Sequence, residues 1–334
     1  MLLSVAQANE IIERGAPLII AGSSAALAAL KRGNWIGGSI PYFITAEGGV
    51  CDRTKVFVDE IALPHGRWSI KTYHAMALSR LASDAFNNGF SYIIIPANSA
   101  AHLEYAMHAA EYPGIFQKPV IGWISGVHLA DLAFEAPVAV DGRSGLAQST
   151  EAIVLHIELP PQLQVKVKTV NLFQPGTGPT LRFTEPGFSA ASAWVDGRPV
   201  ELARFMKERG WDSSLPLVAD YAGTRVNVSI KTISERSGRV SFYAPVFPGV
   251  DYRQAAPVAD YAAGFSALVP KGIAPVLSCN CVLNYVYGQL EGRHTGPFTG
   301  PATFGEIAHL LLNQTLVYLA VNKSEREGTT AAPI

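Results

Sequence analysis

Short apolar runs and amphipathic stretches alternate along the first part of the chain, and this pattern predicts alternating strands and helices. Leu18 to Ala21, Tyr92 to Ile95 and Val120 to Ile124 are continuous apolar runs of strand length. Ser4, followed three residues later by Gln7, matches the capping box that starts a helix. Such alternation is typical of α/β layers. We therefore predict an α/β fold of two lobes, with mixed β-sheets flanked by helices.

Three longer segments extend the predicted order of elements. Trp35 to Thr45 is predicted as one strand and Tyr73 to Asn87 as a helix. Pro199 stands in the first turn of a further predicted helix, a position that proline favours, and this helix runs to about Arg209.

The pattern of elements changes after Leu146, where strands separated by prolines replace the strand–helix alternation. A second series of strands and helices then follows. This change predicts an N-terminal lobe over residues 1–185 and a C-terminal lobe over residues 186–321. Residues 322–334 are polar and small, which is typical of a flexible tail.

The charge and hydropathy of the chain exclude two classes of partner. Net charge is -1, whereas nucleic-acid-binding proteins carry a basic patch or stripe, so we expect no nucleic-acid partner. The most apolar stretch, residues 16–30, is interrupted by Gly22 and two serines. It falls short of the roughly 18 to 20 apolar residues that a membrane span needs, so we expect no membrane partner.

The cysteine content and the N-terminus indicate the compartment. Three cysteines are too few for a disulfide framework. The N-terminus lacks the basic segment and apolar run of a signal peptide. We therefore expect a cytoplasmic protein.

Six runs of sequence carry a resemblance to a known family. The runs are Ile36 to Ser39, Val120 to Gly122, Trp194 to Glu201, Pro275 to Asn280, Phe304 to Ile307 and Leu312 to Val317. Together they resemble the glycine-rich strand ends and the closing strands of the FIST domain family. The resemblance implies a FIST N-terminal-like lobe over residues 1–185 and a C-terminal-like lobe over residues 186–321.

The same resemblance implies a function. FIST domains are regarded as bacterial sensory modules for small ligands, so we expect the chain to bind a small polar metabolite such as an amino acid. A signalling protein would then be its second partner. The family often continues after Ser-Cys with a Gly-Arg pair, whereas this chain continues with Asn280 and Cys281, so the ligand's identity does not carry over.

A ligand cleft is expected where the glycine-rich strand ends of the first lobe face the Cys279 and Glu306 segments of the second. Clefts between lobes are common ligand sites. The predicted ligand-binding residues are Gly37, Gly38, Ser39, Cys279, Asn280, Asn284, Phe304 and Glu306.

Glu306 is the strongest of these candidates. In a strand, Phe304 and Glu306 point to the same face. A carboxylate beside an aromatic ring on an inward face is costly unless a cation or hydrogen-bond donors satisfy it. A ligand ammonium, an internal Arg or a backbone turn would each do so, and the sequence leaves these alternatives open.

Cys279 and Cys281 form a Cys-x-Cys pair with three alternative roles: buried apolar groups, pocket walls, or reactive thiols. A tetrahedral zinc site needs further ligands that the sequence does not supply, so no metal site is predicted. A nucleophilic cysteine needs a base, for which His294 and His309 are candidates. No residue is assigned as catalytic.

The cofactor and the exact function stay open. A haem needs one axial ligand, which any of the eight histidines would supply, so the sequence identifies no cofactor. The favoured function is a small-molecule-binding sensory protein. The first alternative is an enzyme that uses Cys279, Cys281 or Glu306 in an interlobe cleft, and the second is a protein-interaction subunit without a ligand.

Overall fold

A computed structural model of the chain describes residues 1–221, 223–270 and 275–323. The first half contains β1 (Leu2–Ser4), α1 (Val5–Ile12), β2 (Leu18–Gly22), α2 (Ser24–Ala28), β3 (Trp35–Ser39), β4 (Tyr42–Thr45), β5 (Gly48–Cys51), β6 (Lys55–Glu60), β7 (Trp68–Tyr73), α3 (Leu81–Asp84), β8 (Gly89–Pro96), α4 (Ala100–His108), β9 (Val120–Ser125), β10 (Ala139–Asp141), β11 (Leu146–Gln148), β12 (Ala152–Glu158) and β13 (Leu163–Val170). The second half contains β14 (Leu181–Arg182), β15 (Gly187–Ala190), β16 (Ser192–Val195), β17 (Arg198–Glu201), α5 (Leu202–Glu208), β18 (Leu217–Tyr221), β19 (Thr224–Val228), β20 (Ile230–Ser234), β21 (Arg239–Val246), β22 (Tyr252–Gln254), α6 (Tyr261–Ala267), β23 (Leu277–Cys281), α7 (Val282–Tyr287), β24 (Gly300–Thr303), β25 (Glu306–Ala308), β26 (Leu310–Leu312) and β27 (Leu316–Lys323).

The predicted α/β fold with mixed sheets is confirmed. The strands form five sheets, which are sheet 1 (β1-β6-β2-β3-β10-β11), sheet 2 (β26-β25-β9-β8-β12-β7), sheet 3 (β13-β27-β23-β24-β4-β5), sheet 4 (β17-β16-β14-β22-β18-β19) and sheet 5 (β15-β21-β20). Sheets 1, 2 and 3 each combine one parallel pair with antiparallel pairs. Each of these three sheets has strands that are buried throughout, among them β2, β9 and β23.

Sheets 4 and 5 form a unit inserted into the rest of the chain. Both are built from strands between Leu181 and Gln254. Pro175 bridges Ala255, so the chain enters and leaves this unit at neighbouring points. Sheet 1 lies wholly before the predicted boundary at residues 185/186, whereas sheets 2 and 3 combine strands from both sides of it; β4 pairs with β24, for example. The first and last parts of the chain therefore share sheets 2 and 3.

Local sequence signals explain several elements and their ends. The Ser4 capping box is present, with the Ser4 hydroxyl accepting from the Gln7 N–H at 3.3 Å. The helix predicted from Pro199 begins only at α5, and β17 precedes it. Asp196 and Gly197 have φ of 47° and 81°, so they form the tight turn of a β16–β17 hairpin. An Asp-Gly pair is a strong hairpin signal, and here it prevails over the proline.

Two other predicted elements are divided in the structure. Trp35 to Thr45 forms two strands in different sheets, β3 and β4, and Pro41, which has no N–H, lies between them. The segment predicted as a helix over Tyr73 to Asn87 contains the end of β7, a 3₁₀ helix over Ala75–Arg80 and α3.

Two further predictions concern membrane spans and the tail. Within the described residues no helix has the length and apolarity of a membrane span. Of the predicted tail 322–334, Asn322 and Lys323 belong to β27, and the remainder lies outside the described residues.

Candidate functional site

Gly37 and Gly38 lie in the core and do not face a ligand cleft, contrary to prediction. A Cβ on Gly38 would stand 2.5 Å from the ring of Trp123 and 2.6 Å from Ile94. A Cβ on Gly37 would stand 2.9 Å from the carbonyl oxygen of Ile20. Gly38 therefore allows sheet 1 to approach sheet 2 closely, and Gly37 allows close packing within sheet 1.

Ser39 also has a structural partner. Its hydroxyl accepts a hydrogen bond from the N–H of Val138 at 2.8 Å. It borders a small pocket of about 160 Å³ that also contains the salt bridge between Arg53 and Asp131, 2.9 Å long. The pocket is small, and Arg53 and Asp131 on its walls are already paired with each other, while Glu135 also lines it.

Glu306 is fully buried in β25, where the alternation of side chains predicted an inward position. Its Oε2 accepts hydrogen bonds from the N–H and the hydroxyl of Thr315, at 3.1 and 2.8 Å. Its Oε1 has no partner among the described residues. Burial raises the pKa of Glu306 to about 8, against the opposing effect of the Thr315 hydrogen bonds. Of the three predicted alternatives for satisfying this carboxyl, the structure contains the third, because the donors belong to Thr315 in the turn before β27.

Cys279 and Cys281 are buried next to Glu306. The thiol of Cys279 donates to the carbonyl oxygen of Gly122 at 3.4 Å. Burial, and then the nearby Glu306 carboxyl, raises the pKa of both thiols well above the ordinary value. Since the thiolate is the nucleophile and the metal ligand, these cysteines have the properties of inert core residues.

Asn280 and Asn284 form a buried hydrogen-bond network beside the cysteines, in which Asn280 Nδ2 and Asn284 Oδ1 have no partner among the described residues. Asn280 Oδ1 accepts from the backbone N–H of Cys281 at 2.8 Å and from Asn284 Nδ2 at 2.9 Å. Asn284 Nδ2 also donates to the carbonyl oxygen of Thr315 at 3.2 Å. The network ties the end of β23 to α7 and to the start of β27. It holds the sheet together and offers no opening for a ligand.

The structure thus brings Cys279, Asn280, Asn284 and Glu306 together, but in a closed polar core. Phe304 lies elsewhere, on the wall of an open cleft of about 350 Å³. We call this the His102 cleft. Its walls are Ala97, Asn98, His102, Leu103, Leu129, Leu132, Phe188, Ser189, Lys231, Ser241, Phe242, Tyr243, Val282, Leu283 and Phe304.

The His102 cleft lies between the inserted unit and the rest of the chain. Its first side comes from the start of α4 and the loop after β9, and its second from sheet 5. The N-terminal end of α7 and Phe304 form the third side. The expected cleft between two parts of the chain therefore exists, but seven of its eight predicted residues lie outside it.

His102 is the buried polar side chain of the cleft. It is 7 % exposed, in the first turn of α4, which Ser99 caps by accepting from the His102 N–H at 3.0 Å. His102 Nδ1 accepts from the N–H of Asn98 at 3.1 Å, so the ring proton resides on Nε2. Nε2 has no partner among the described residues. Burial, and secondly Lys231, lowers the pKa of His102 to about 4, so the ring is neutral.

The strand pairing of sheet 5 is irregular at the wall of the cleft. The register of β20 against β21 shifts between Ile230 and Thr232, which leaves Lys231 as an extra residue of β20. The register of β15 against β21 also shifts between Gly187 and Ser189, and there the extra residues belong to β21. Bulges re-aim side chains and are common beside functional sites. Lys231 and Phe188 both line the cleft, and the Phe188 ring packs edge-on against His102, with 5.8 Å between the ring centres.

A second cavity of about 580 Å³ lies at the other end of the contact between α4 and β21. Its walls are mainly apolar, including Met107, Phe116, Phe247 and Leu311. Its size exceeds that of the His102 cleft, but none of the unpartnered buried side-chain atoms of the described residues belongs to its walls. The His102 cleft therefore has the stronger claim to a specific ligand, because a few convergent polar groups provide orientation.

Metal binding finds no support in the described part of the chain. In residues 1–221, 223–270 and 275–323, no group of three or more His, Cys, Asp or Glu is placed to hold a metal ion.

Sequence reasoning missed His102 and Lys231. The Asn98-Ser99 pair before α4 is a readable helix start, and Asn98 has the left-handed φ of 60° that asparagine tolerates. That signal would have indicated a backbone turn next to His102. The bulge at Lys231 depends on pairing with β21 and has no signature in the sequence itself.

Comparison with known proteins gives one match. The model of a family described as "Family of unknown function (DUF6976)" matches residues 3–322. No curated protein matches the chain. Neither result connects the chain to the FIST family, so that resemblance stays a prediction.

Proposed function

The chain belongs to the DUF6976 family, and we propose that it is a small-molecule-binding protein whose ligand occupies the His102 cleft. The observation that carries the proposal is the imidazole of His102, which lines an open cleft of about 350 Å³. Its Nε2–H is shielded from water and lacks an acceptor in the described residues. A buried donor without a partner costs roughly 1 to 3 kcal/mol, which an acceptor on a ligand would recover.

The construction of the cleft supports a binding role. Sites for small molecules are mainly apolar concavities with a few placed polar groups, and the His102 cleft has this character. Its walls come from α4, sheet 5 and α7, so a ligand would contact both the inserted unit and the remainder of the chain. Such contacts would stabilise one arrangement of the two parts.

A sensory role follows from that arrangement. A ligand changes a conformational equilibrium when it contacts one state better than another. A ligand between the inserted unit and the rest of the chain would do this, and a signalling protein would respond to the result. The FIST-like runs point to the same class of function.

The geometry gives little support to the alternative of a cysteine enzyme. Cys279 and Cys281 are buried, and their raised pKa keeps both thiols protonated. Their position in the buried network leaves no space for a substrate. Glu306 is likewise engaged by Thr315 and lines none of the cavities described above.

Mass spectrometry of small molecules released from natively purified protein tests the proposal. The wild-type protein should release a compound in stoichiometric amount. Ser241→Trp, which fills the cleft from β21, should abolish its retention. The matched control is Ser237→Trp, which places the same side chain at an exposed position in the turn before β21.

Thermal-shift screening of a metabolite collection gives a second readout for a ligand that is lost on purification. At least one compound should raise the Tm of the wild type and of Ser237→Trp, but not of Ser241→Trp. A protein that releases nothing, and whose Tm no compound raises in this selective way, would contradict the proposal.

A further inference from the structure

We infer that the His102 cleft selects a ligand with an anionic head, such as a carboxylate, and an apolar body. This inference rests on the proposed function and names its ligand class. It differs from the expectation of an amino acid, since an amino acid also carries an ammonium group. Three features of the cleft support an anion: its donors, its charges and its apolar walls.

The donors that border the cleft come from the start of α4. His102 offers its unpartnered Nε2–H. Asn98 and His102 also place the N-terminal end of α4, a helix of nine residues, at the cleft wall. The N-terminus of a helix carries a partial positive charge and favours anions. A neutral imidazole with its hydrogen on Nε2 can donate a hydrogen bond to a carboxylate oxygen without becoming a charged imidazolium.

The charges of the cleft are positive. Lys231 lines it and makes no salt bridge with any described residue; its ammonium lies 5.8 Å from the centre of the Tyr243 ring. Arg239 donates to the hydroxyl of Ser189, another wall residue, at 2.8 Å. Among the described residues, no Asp or Glu belongs to the cleft walls. A ligand ammonium would therefore face Lys231 without a carboxylate to balance it.

The rest of the cleft suits an apolar body. Leu129, Phe188, Phe242, Leu283 and Phe304 are among its walls. The volume of about 350 Å³ corresponds to roughly ten water molecules. A carboxylate with a chain of medium length or with one aromatic ring would fill it.

Three probes with the same eight-carbon chain test the inference: octanoate, octylamine and octanol. Isothermal titration calorimetry should give octanoate the lowest Kd, with octylamine at least about ten-fold weaker. Lys231→Met should weaken octanoate about three- to ten-fold, and less at high salt because Lys231 is exposed, while the Kd of octanol should not change. Lys166→Met, on exposed β13, is the matched control.

His102→Asn separates the donor from the fold. The Asn side-chain oxygen can take over the bond from the Asn98 N–H, but nothing replaces the Nε2 donor. The variant should keep the Tm of the ligand-free protein within a few degrees and bind octanoate at least about ten-fold more weakly.

Several results would overturn the inference. Octylamine that binds as tightly as octanoate would overturn it, and so would a Lys231→Met variant that weakens the binding of octanoate and octanol equally. If no probe binds, the test is the charge of the compound that the wild type retains and that Ser241→Trp does not retain. A cation or a zwitterion would overturn the inferred anionic ligand but not the proposed binding function. The proposed function fails as well if no probe binds, if the wild type retains no compound, and if no compound raises the Tm of the wild type without raising that of Ser241→Trp.

Discussion

Glu306 and Thr315 form a closed pair in the core, in which one carboxyl oxygen accepts both the N–H and the hydroxyl of the threonine, at 3.1 and 2.8 Å. The pair joins β25 to the start of β27. Within residues 1–221, 223–270 and 275–323, no cation forms a salt bridge with this carboxyl, and burial raises its pKa to about 8. Glu306 is therefore neutral at pH 7 and serves the fold.

Glu306→Gln should change how stability depends on pH. The pKa is about 8 in the folded state and near its usual value of 4.5 in the unfolded chain. The unfolded state therefore loses the proton first, and the wild-type protein loses about 3 to 5 kcal/mol of unfolding free energy between pH 4.5 and pH 8. Glutamine does not titrate, so the variant should lack this decline. Denaturant unfolding at intervals from pH 5 to pH 9 measures the difference.

Glu158→Gln is the control for that series. Glu158 is a surface carboxyl whose pKa the Arg67 guanidinium lowers, so its replacement should not remove the decline. Parallel pH curves for wild type and Glu306→Gln would show that Glu306 is ionised in the folded protein.

His102 should remain neutral to low pH and respond to an anion. Burial and Lys231 lower its pKa to about 4, so its ring resonances should not change between pH 8 and pH 5.5. Its depressed pKa contributes stability that is present above pH 6.5 and is lost as pH falls toward 4. Octanoate should raise this pKa. Histidine NMR, with His102→Asn to assign the signals, measures it; a midpoint near 6.5 in the free protein would contradict the account.

The three cysteines should differ in reactivity. Cys51 is partly exposed, whereas Cys279 and Cys281 are buried with strongly raised pKa values. Iodoacetamide should modify Cys51 alone in the native protein and all three cysteines after unfolding. Cys51→Ser should then show no native modification. Peptide mapping by mass spectrometry measures this, and rapid native labelling of Cys279 or Cys281 would show an accessible thiol site.

Gly38→Ala should destabilise the fold without altering ligand specificity. The added Cβ would stand 2.5 Å from Trp123 and 2.6 Å from Ile94, and overpacking of this kind costs about 1 to 3 kcal/mol. Gly178→Ala is the control, because a Cβ there meets nothing within 4 Å. Chemical denaturation compares the two variants. Equal stabilities, or a loss of octanoate binding in Gly38→Ala beyond its loss of stability, would contradict the packing role.

The features that could be predicted from the sequence are those that depend on residues close together in the chain. The capping box of Ser4 and Gln7 is local and is found as predicted. The α/β class follows from the alternation of apolar runs, and the inward position of Glu306 follows from strand periodicity. The Asp196-Gly197 hairpin was also readable, but the nearby Pro199 favoured a helix.

The candidate site depends on distant contacts, and these were not readable. Lys231 reaches the cleft because β20 bulges against β21. His102, whose helix Ser99 caps, reaches the same cleft from a position 129 residues earlier in the chain than Lys231. The partner of Glu306 lies nine residues later, across a turn. We predicted a ligand site from the polar residues at these strand ends, whereas in the structure they form a polar network in the core.

A crystal structure of the natively purified protein shows whether the His102 cleft holds a ligand. We expect a small molecule there, with an anionic oxygen within hydrogen-bond distance of His102 Nε2 and its apolar part against Phe188 and Phe304. An empty cleft together with a ligand bound at Cys279 and Glu306 would contradict this expectation.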